Sequence, residues 1–352
     1  MKHQIDLEAA RQNLKTWFQG KIPNADDISV SSMELPAAGS SNETFFLNLE
    51  YREEGVQRRD ELVIRWQPKG FLVFPQDAYN MAQQFHLQRC LADTEVPAPE
   101  VLWVEEDPAL IGAPFYIMRR VDGWIPGDFP PYHVGGRLFD ASPEQKISAW
   151  NAALDTIIRI HDVDWQGAGL SFLGVPQDKQ YIHGQIAFWE RVCRQNADPM
   201  PEILAQTRDW LMDNSFVPEN LCLCWGDARL GNLIYRDFNV AAALDWEMSC
   251  IGDPESDLAW FAHVDWASSE GRPASPTPRL EGLPSIAETI ARYEKITGRV
   301  VKNFLYYDVF AAWRLAIVYT RIEQDEKYLA RSGNKKGLLT STHFEKLARL
   351  IS

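Results

Sequence analysis

Residues 221–261, LCLCWGDARLGNLIYRDFNVAAALDWEMSCIGDPESDLAWF, contain the most informative pattern in this chain. CLCW and NLIY are short strand-like pieces on either side of a polar loop, and VAAALDW is typical of a further strand. Asp227 and Asn232 stand five residues apart on the loop, and Asp245 lies at the end of the next apolar strand. Three oxygen-bearing side chains are therefore expected on adjacent loop ends, where strands hold them in place.

This set of side chains favours magnesium-dependent phosphate chemistry. Mg²⁺ takes a few carboxylate or amide oxygens from a protein and otherwise keeps water and substrate phosphates as ligands. A further acid at the attacking hydroxyl is what phosphoryl transfer requires. An Asp followed by an Asn five residues later is common alone, but loop placement, flanking strands and a downstream Asp seldom coincide. The joint pattern therefore predicts a phosphoryl-transfer site.

The composition is that of an ordinary globular chain, with 45% hydrophobic and 24% charged residues among 352. This excludes a disordered or collagen-like protein. Acidic residues number 49 against 35 Lys and Arg, which gives a net charge of −14. Because the chain also has no basic stripe, nucleic acid is not expected as a partner. A nucleotide remains compatible, since one small anion needs only a local positive site.

Neither a membrane span nor an exported protein is expected from the sequence. The chain has no run of 18 apolar residues, and its start, MKHQIDLEAARQNLKTWF, predicts an amphipathic helix without the apolar core of a signal peptide. Five cysteines without a CxxC pair fit neither a disulfide framework nor a zinc site. We therefore expect a cytoplasmic protein in which Cys222 and Cys224 are apolar strand residues.

The chain is expected to divide near residue 121. The first part has the order strand, loop, strand, strand, helix, strand, strand, and its loop AAGSSNET is rich in small residues. The Pro/Gly-rich segment GWIPGDFPPYHVGG, residues 123–136, is typical of a connection between lobes or of a lid. Helices dominate the rest. These features predict an α+β protein with a β-rich part over 1–121 and a mostly helical part over 122–352.

Capping signals mark helix boundaries in the second part. Ser142-Pro143-Glu144-Gln145 is a capping box with proline at the first helical position, and Ser285 with Glu288 forms a second box. Gly298 is a stop signal for the helix that follows Ser285. Residues 309–322 are apolar nearly all round, which predicts a buried helix.

Two motifs, WGDARLGNLIY (225–235) and ALDWEMSCIGDPESDLAW (243–260), resemble the aminoglycoside phosphotransferase and choline kinase group of protein-kinase-like enzymes. VPAPEVL (96–102) and EEDPALIGAPFYIM (105–118) extend the resemblance over most of the chain. In overall appearance the chain is similar to bacterial phosphotransferase-like proteins and to kinase-like domains fused to acyl-CoA dehydrogenases. The resemblance implies a two-lobed protein-kinase-like fold that binds ATP between its lobes and uses Mg²⁺.

The resemblance also implies a role for each motif residue. Asp227 would be the catalytic base, and Asn232 and Asp245 would hold magnesium. Asp257 would hydrogen-bond the catalytic loop and keep its shape. The residues expected to bind the nucleotide are Gly39, Ser40, Ser41, Asn42 and Thr44 in a phosphate loop, Arg65 on a strand, and Met118, Arg119 and Val121 in a hinge. The polar residues expected to face the acceptor are His263, Asp265 and Arg314.

Three positions depart from the pattern of the family. Trp225 replaces the usual histidine before the Gly-Asp pair, and Arg65 replaces the strand lysine that pairs with the α- and β-phosphates. Arginine is a planar fork rather than a point charge. Gln84 stands where the glutamate partner of that lysine is expected, so a neutral partner would hold Arg65 less tightly.

Each candidate residue also has a purely structural interpretation. Asp227 could be a turn residue, and Asp257 an acid favoured by the dipole at a helix N-terminus. Arg65 could be a surface strand residue. His161 lies on the apolar face of its helix, which favours a core histidine with satisfied hydrogen bonds.

The sequence therefore predicts a kinase that transfers the γ-phosphoryl group of ATP to a hydroxyl of a small molecule, with Mg²⁺. The resemblance favours a hydroxyacyl-CoA or hydroxy acid as acceptor, and an aminoglycoside or another small alcohol is the alternative. A non-catalytic nucleotide-binding module is the rival from another class. Trp225, Arg65 and Gln84 favour that rival, whereas intact metal and base positions argue against it. A hydrolase is excluded, because the chain has no GxSxG or HExxH pattern.

Overall fold

The computed structural model describes most of the chain, which divides into two compact units. The described residues are 6–35, 44–68, 71–175, 177–197, 199–273, 275–326, 329–330 and 335–352. The first unit consists of Met1–Leu72, Gln76–Asp93 and Ala98–Asp122, and the second of Val73–Pro75, Thr94–Pro97 and Gly123–Ser352. The sequence pattern did not indicate that two short pieces of the first part belong to the second unit.

The first unit is built on a five-stranded antiparallel sheet with the strand order β1-β2-β3-β5-β4. Its elements are α1 (Leu7–Lys21), β1 (Ala25–Val30), β2 (Thr44–Glu53), β3 (Val56–Trp66), α2 (Met81–Leu91), β4 (Val101–Glu105) and β5 (Phe115–Arg119). After α1, the order of strands and helix agrees with the order that the sequence predicts.

The core of the first unit lies on one face of this sheet. Leu62, Ile64 and Trp66 alternate along β3 and pack in one cluster with Leu14 and Phe18 of α1. Successive side chains of a strand point to opposite faces. The odd-numbered positions of β3, among them residue 65, therefore lie on the face opposite this core.

The second unit is mostly helical and contains two small antiparallel sheets, β6–β9 and β7–β8. Its elements are α3 (Pro143–His161), α4 (Gln180–Asn196), α5 (Glu202–Asp213), β6 (Cys222–Cys224), β7 (Leu233–Arg236), β8 (Asn239–Ala243), β9 (Cys250–Gly252), α6 (Glu255–Ala267), α7 (Ile286–Thr297), α8 (Phe304–Ile322) and α9 (Leu338–Leu350). The predicted α+β class is confirmed. Of the helices in the described ranges, none is both long and apolar enough to cross a membrane.

The predicted helix boundaries of α3 and α7 are confirmed by their caps. Ser142 and Ser285 each accept a hydrogen bond from the third backbone N–H of the helix, and the side chains of Gln145 and Glu288 return the bond. Gly298 ends α7 in the left-handed region, with φ +69°. The predicted buried helix over 309–322 is the larger part of α8.

A matched pair of glycine substitutions is expected to shift stability in opposite directions. Gly298→Ala forces a side chain into the left-handed region and costs about 1 kcal/mol, although the space around the new Cβ is open. Gly20→Ala, in the last turn of α1 with nothing within 4 Å of the new Cβ, gains about 0.5–1 kcal/mol. Thermal unfolding midpoints check both variants. A lowered midpoint for Gly20→Ala would contradict the helical conformation at that position. An unchanged midpoint for Gly298→Ala would contradict the left-handed conformation there.

A cluster of titratable side chains, with two buried histidines and a half-buried ion pair, joins α6, α8 and α9. His263 Nδ1 lies 3.4 Å from Asp308 Oδ1, and Lys346 Nζ lies 3.6 Å from the same oxygen and 4.1 Å from the Trp266 ring. His343 is fully buried, and neither ring nitrogen has a hydrogen-bond partner among the described residues. Burial lowers the pKa of His263 to about 4 and holds the pKa of His343 well below its usual value.

The histidines of this cluster should make the protein less stable in mild acid. Because their pKa values are lower in the folded state, the unfolded chain takes up protons first as the pH falls below about 6.5, and stability is lost from there downward. His343→Phe should flatten this loss between about pH 6.5 and 5, measured as the unfolding midpoint against pH. His86→Phe, which removes an exposed histidine of α2, is the control and should keep the wild-type profile. An unchanged profile in His343→Phe would refute the expectation.

Candidate active site

The loop that follows β6 adopts a turn that only glycine can make. Gly226 has φ +86°, and a Cβ at this position would overlap the backbone carbonyl of Met248. The turn carries Trp225 before this glycine and Asp227 after it. The position of Asp227 is therefore set by a tightly constrained backbone.

Asp257, in the first turn of helix α6, fixes the loop after β6 by hydrogen bonds to its backbone. Its Oδ2 accepts the backbone N–H of Trp225 at 2.7 Å, and its Oδ1 accepts that of Gly226 at 2.8 Å. His161 Nε2 lies 3.1 Å from Oδ2. The carboxylate is 1% exposed, and each of its oxygens has a donor, which is what a buried charge requires.

His161 is itself fixed by a second hydrogen bond. Its Nδ1 lies 3.0 Å from the hydroxyl of Tyr293, and burial raises the pKa of that hydroxyl, so it keeps its proton and donates. The network thus assigns the proton of the imidazole to Nε2, toward Asp257. The ligand atoms of His161, Cys222 and Cys224 lie within 4.8 Å of one another, but both ring nitrogens are already engaged. The predicted role of the two cysteines as apolar strand residues agrees with this arrangement.

The carboxylate of Asp227 accepts hydrogen bonds on both oxygens. Trp260 Nε1 donates to Oδ1 at 2.7 Å. Asn232 Nδ2 donates to Oδ2 at 2.7 Å, and Arg229 Nε lies 3.2 Å from the same oxygen. The side chain is 17% exposed, so it is held firmly but still reaches solvent.

The β7–β8 hairpin brings the two predicted magnesium ligands to one end. Leu233 pairs with Ala243, and the backbone N–H of Leu244 donates to the carbonyl of Asn232 at 2.9 Å. Asn232 therefore precedes one strand where Asp245 follows the other. Because the amide nitrogen of Asn232 faces Asp227, its amide oxygen points away from that carboxylate. An amide and a carboxylate oxygen at one hairpin end are ligands that suit Mg²⁺.

The sequence did not point to the ion pair that links this loop to segment 123–136. Arg229 Nη1 contacts both carboxylate oxygens of Asp128, at 3.0 and 2.8 Å. Burial opposes the charge of Arg229, but Asp128 and Asp227 raise its pKa well above the usual value. The same segment is fixed to the hairpin by mutual backbone hydrogen bonds between Trp124 and Tyr235. No local pattern could have shown a partner 101 residues away.

The tryptophan that replaces the family histidine makes a hydrogen bond of its own. Trp225 Nε1 donates to the carbonyl of Leu244 at 2.9 Å, one residue before Asp245. The indole also packs against Trp246, with ring centroids 5.9 Å apart. Trp225 therefore connects the loop of Asp227 to the end of β8.

Only one of the three predicted acceptor residues contacts this loop in the described structure. Arg314 Nη2 donates to the carbonyl of Gly226 at 2.8 Å. Asp265, 3% exposed, accepts instead from Tyr132 and Arg279, and His263 belongs to the cluster of α6, α8 and α9. The sequence predicts Trp260 as a core residue, and it is buried, but its contact with Asp227 was not predicted. Its spacing of three residues from Asp257 places both side chains on one face of α6.

The predicted nucleotide residues of the first unit lie on the central strands. Thr44 begins β2 opposite Arg65 of β3, which in turn stands opposite Tyr116 of β5. Buried Gln84 has no hydrogen-bond partner for its side-chain atoms among the described residues, so the expected bond to Arg65 is not formed. The predicted residues Gly39, Ser40, Ser41 and Asn42 lie outside the described residues.

The predicted hinge follows the last turn of the sheet. Met118 and Arg119 end β5, and Val121 comes two residues later. The backbone N–H of Arg119 donates to the carbonyl of Glu100 at 2.8 Å, and its side chain bonds Glu100 and Asp60. The N–H of Arg119 is therefore already engaged within the sheet.

Comparison with known proteins places this chain in a family. The model of the phosphotransferase enzyme family matches residues 32–293. Acyl-CoA dehydrogenase family member 10 of Mus musculus is 30% identical over 291 residues, which cover 80% of this chain and 25% of that protein. The chain spans between 25% and 39% of the length of the acyl-CoA dehydrogenase relatives compared.

Solved structures show the same fold at low sequence identity. A candidate aminoglycoside phosphotransferase of Ralstonia eutropha has a TM-score of 0.69 at 21% identity, covering 96% of this chain and 98% of that one. Aminoglycoside phosphotransferase APH(4)-Ia, in a ternary complex with AMP-PNP and hygromycin B, has a TM-score of 0.50 at 16% identity, with the same coverage. The predicted protein-kinase-like fold is confirmed, and so is the predicted enzyme class. From the match over residues 32–293, this chain belongs to the phosphotransferase enzyme family.

Proposed function

We propose that this chain transfers the γ-phosphoryl group of ATP to a hydroxyl of a small molecule in a Mg²⁺-dependent reaction. The observation that carries the proposal is the Asp227 carboxylate, which Asn232 and Trp260 hold from opposite oxygens beside the hairpin end that bears Asp245. A base, an amide and a second carboxylate in this order are the protein groups that phosphoryl transfer needs. The AMP-PNP complex of a structurally similar phosphotransferase supports ATP as the co-substrate.

Each residue of the site contributes by position and charge rather than by covalent chemistry. Asp227 accepts the hydrogen bond of the acceptor hydroxyl and takes its proton as the new O–P bond forms and ADP leaves. Asn232 and Asp245 hold Mg²⁺ through their oxygens, and the bound ion supplies charge neutralisation at the phosphates. Arg229 lies 3.2 Å from Asp227 and adds positive charge beside the base. Arg65 supplies further positive charge to the phosphates.

Eight other residues complete the proposed nucleotide site. Within the described residues they are Thr44, Met118, Arg119 and Val121, with Gly39 to Asn42 preceding Thr44 in the sequence. Because the N–H of Arg119 is engaged, the groups proposed to contact adenine are the carbonyl of Arg119 and the backbone groups of Val121.

We propose a hydroxyacyl-CoA or hydroxy acid as the acceptor. The supporting observation is that the curated relatives are acyl-CoA dehydrogenase family members of which this chain matches one part. An aminoglycoside is the second candidate, because the net charge of −14 attracts a polycation at long range. Acceptors of both classes carry a hydroxyl that Asp227 could deprotonate. Only an assay that includes both classes can therefore distinguish the two candidates.

A coupled ADP-release assay with Mg·ATP tests the function and the acceptor together. We expect stimulation by hydroxyacyl-CoAs or hydroxy acids and none by choline-like alcohols or aminoglycosides. Asp227→Asn should lower the stimulated rate by a factor of about 10²–10⁴, because the base is lost while nucleotide binding is kept. Asp237→Asn, an exposed position in the β7–β8 turn, is the matched control and should keep the wild-type rate.

Three results would go against this proposal in different ways. Stimulation by aminoglycosides alone would overturn the acceptor and keep the reaction. Near-wild-type turnover in Asp227→Asn would show that the assigned base is wrong. Tight Mg·ATP binding without stimulation by any acceptor class would favour the non-catalytic module.

The two proposed magnesium ligands should set how nucleotide binding depends on Mg²⁺. Asn232→Ala and Asp245→Asn should each raise the Mg²⁺ concentration for half-maximal AMP-PNP binding by about tenfold or more, since even residues behind a metal ligand contribute 10–100-fold. Calorimetric titrations at stepped Mg²⁺ concentrations measure this. Asn239→Ala, an exposed asparagine of β8, is the control. Wild-type Mg²⁺ dependence in both ligand variants would disprove the assignment.

A further inference from the structure

The carboxylate of Asp227 has three donors for about four lone-pair sites. Asn232 and Arg229 both approach Oδ2, at 2.7 and 3.2 Å, whereas Trp260 alone approaches Oδ1, at 2.7 Å. A carboxylate oxygen offers two lone-pair positions. Among the described contacts, the position left for a further donor is therefore on Oδ1, beside the indole of Trp260.

Trp260 is held in place by a buried cation. The guanidinium of Arg314 lies over the Trp260 ring, 4.2 Å from its centroid, and over Trp189 at 5.0 Å. The same guanidinium donates to the carbonyl of Gly226 at 2.8 Å. Trp260 and Arg314 are 4% and 5% exposed, so neither has room to move. Arg314 therefore fixes both the turn before Asp227 and the indole that contacts it.

The indole restricts the one torsion that would otherwise let the base turn. The terminal torsion of an Asp side chain is broad and roughly two-fold, and its two oxygens turn together about the Cβ–Cγ bond. Asn232 and Arg229 restrain this torsion through Oδ2, and Trp260 narrows it further by binding the opposite oxygen. A cation over the ring face also polarises the indole and strengthens its N–H as a donor.

We propose that Trp260 is a positioning residue that fixes Oδ1 of Asp227 as the oxygen that meets the acceptor hydroxyl. This role rests on the proposed function, because it acts through the assigned base. Arg314 supports it from behind the ring. Neither the family match nor the likeness in fold assigns this contact to the indole.

The hydrogen bond can be tested without an acceptor, by NMR of protein labelled with ¹⁵N at its tryptophans. Trp260→Phe should remove one of the 13 indole N–H signals and so assign it. In wild type that signal should lie downfield, and Asp227→Ala should move it upfield, because a charged acceptor is lost. Asp209→Ala, which removes an exposed carboxylate next to Trp210, should leave it in place. If Trp260→Phe does not fold, Asp227→Ala still tests the hydrogen bond. In that variant a single indole signal should move upfield.

Kinetics with an acceptor found in the ADP-release assay test the positioning role itself. Trp260→Phe should lower kcat by about 10- to 150-fold, which corresponds to one hydrogen bond to a charged group, and should leave the KM for ATP within about twofold. In an Asp227→Ala background the same substitution should have no further effect, because the two residues act as a unit. Trp210→Phe, which alters a tryptophan stacked on Tyr306 of α8, is the control.

The two proposals fail in different ways. Wild-type turnover in Asp227→Ala would overturn the proposed function. Loss of turnover in Asp227→Ala with wild-type kcat in Trp260→Phe would overturn the positioning role alone. An indole signal that ignores Asp227→Ala would overturn it as well, and additive losses in the double variant would make Trp260 a structural residue only.

Discussion

The carboxylate of Asp257 is the constraint on which the site depends. The turn after β6 directs two successive backbone N–H groups, of Trp225 and Gly226, away from any strand, and one buried carboxylate accepts both. Each side needs the other, because an unpaired buried N–H and an unpaired buried charge are both costly. His161 supplies the third donor and closes the network. The place of Asp227 thus follows from backbone hydrogen bonds rather than from its own side chain.

One turn of helix α6 therefore makes hydrogen bonds to three consecutive residues, 225 to 227. Asp257 accepts the backbone N–H groups of residues 225 and 226. Trp260, three residues further on the same face of α6, donates to the side chain of Asp227. Arg314 of α8 completes the arrangement by donating a hydrogen bond to the carbonyl of Gly226. A base built on packed helices in this way keeps its geometry better than one on a free loop.

The parts of the fold that could be predicted are those written in neighbouring residues. The caps of α3 and α7 and the β7–β8 hairpin, which brings Asn232 to the end where Asp245 stands, depend on local patterns. Asp128 could not be predicted, because its ion pair with Arg229 joins segments far apart in the chain. The predicted contact of Asp265 with the acceptor differs from the structure for a related reason. A polar residue on an apolar helix is equally consistent with a substrate contact and with a buried network, and only the packing of Tyr132 and Arg279 decides.

The tryptophan at position 225 bears on the choice between an enzyme and a binding module. As a sequence feature it favours the module, because the family histidine is gone. In the structure the loop is held through the backbone N–H of Trp225, which any residue except proline supplies. The indole adds a hydrogen bond to the carbonyl of Leu244 beside Asp245. The substitution thus keeps the connection between the base loop and the metal loop while changing the donor. Of the three departures, only Arg65 and Gln84 still favour a non-catalytic chain, and both belong to the first unit, whereas the base and its hydrogen-bond network belong to the second.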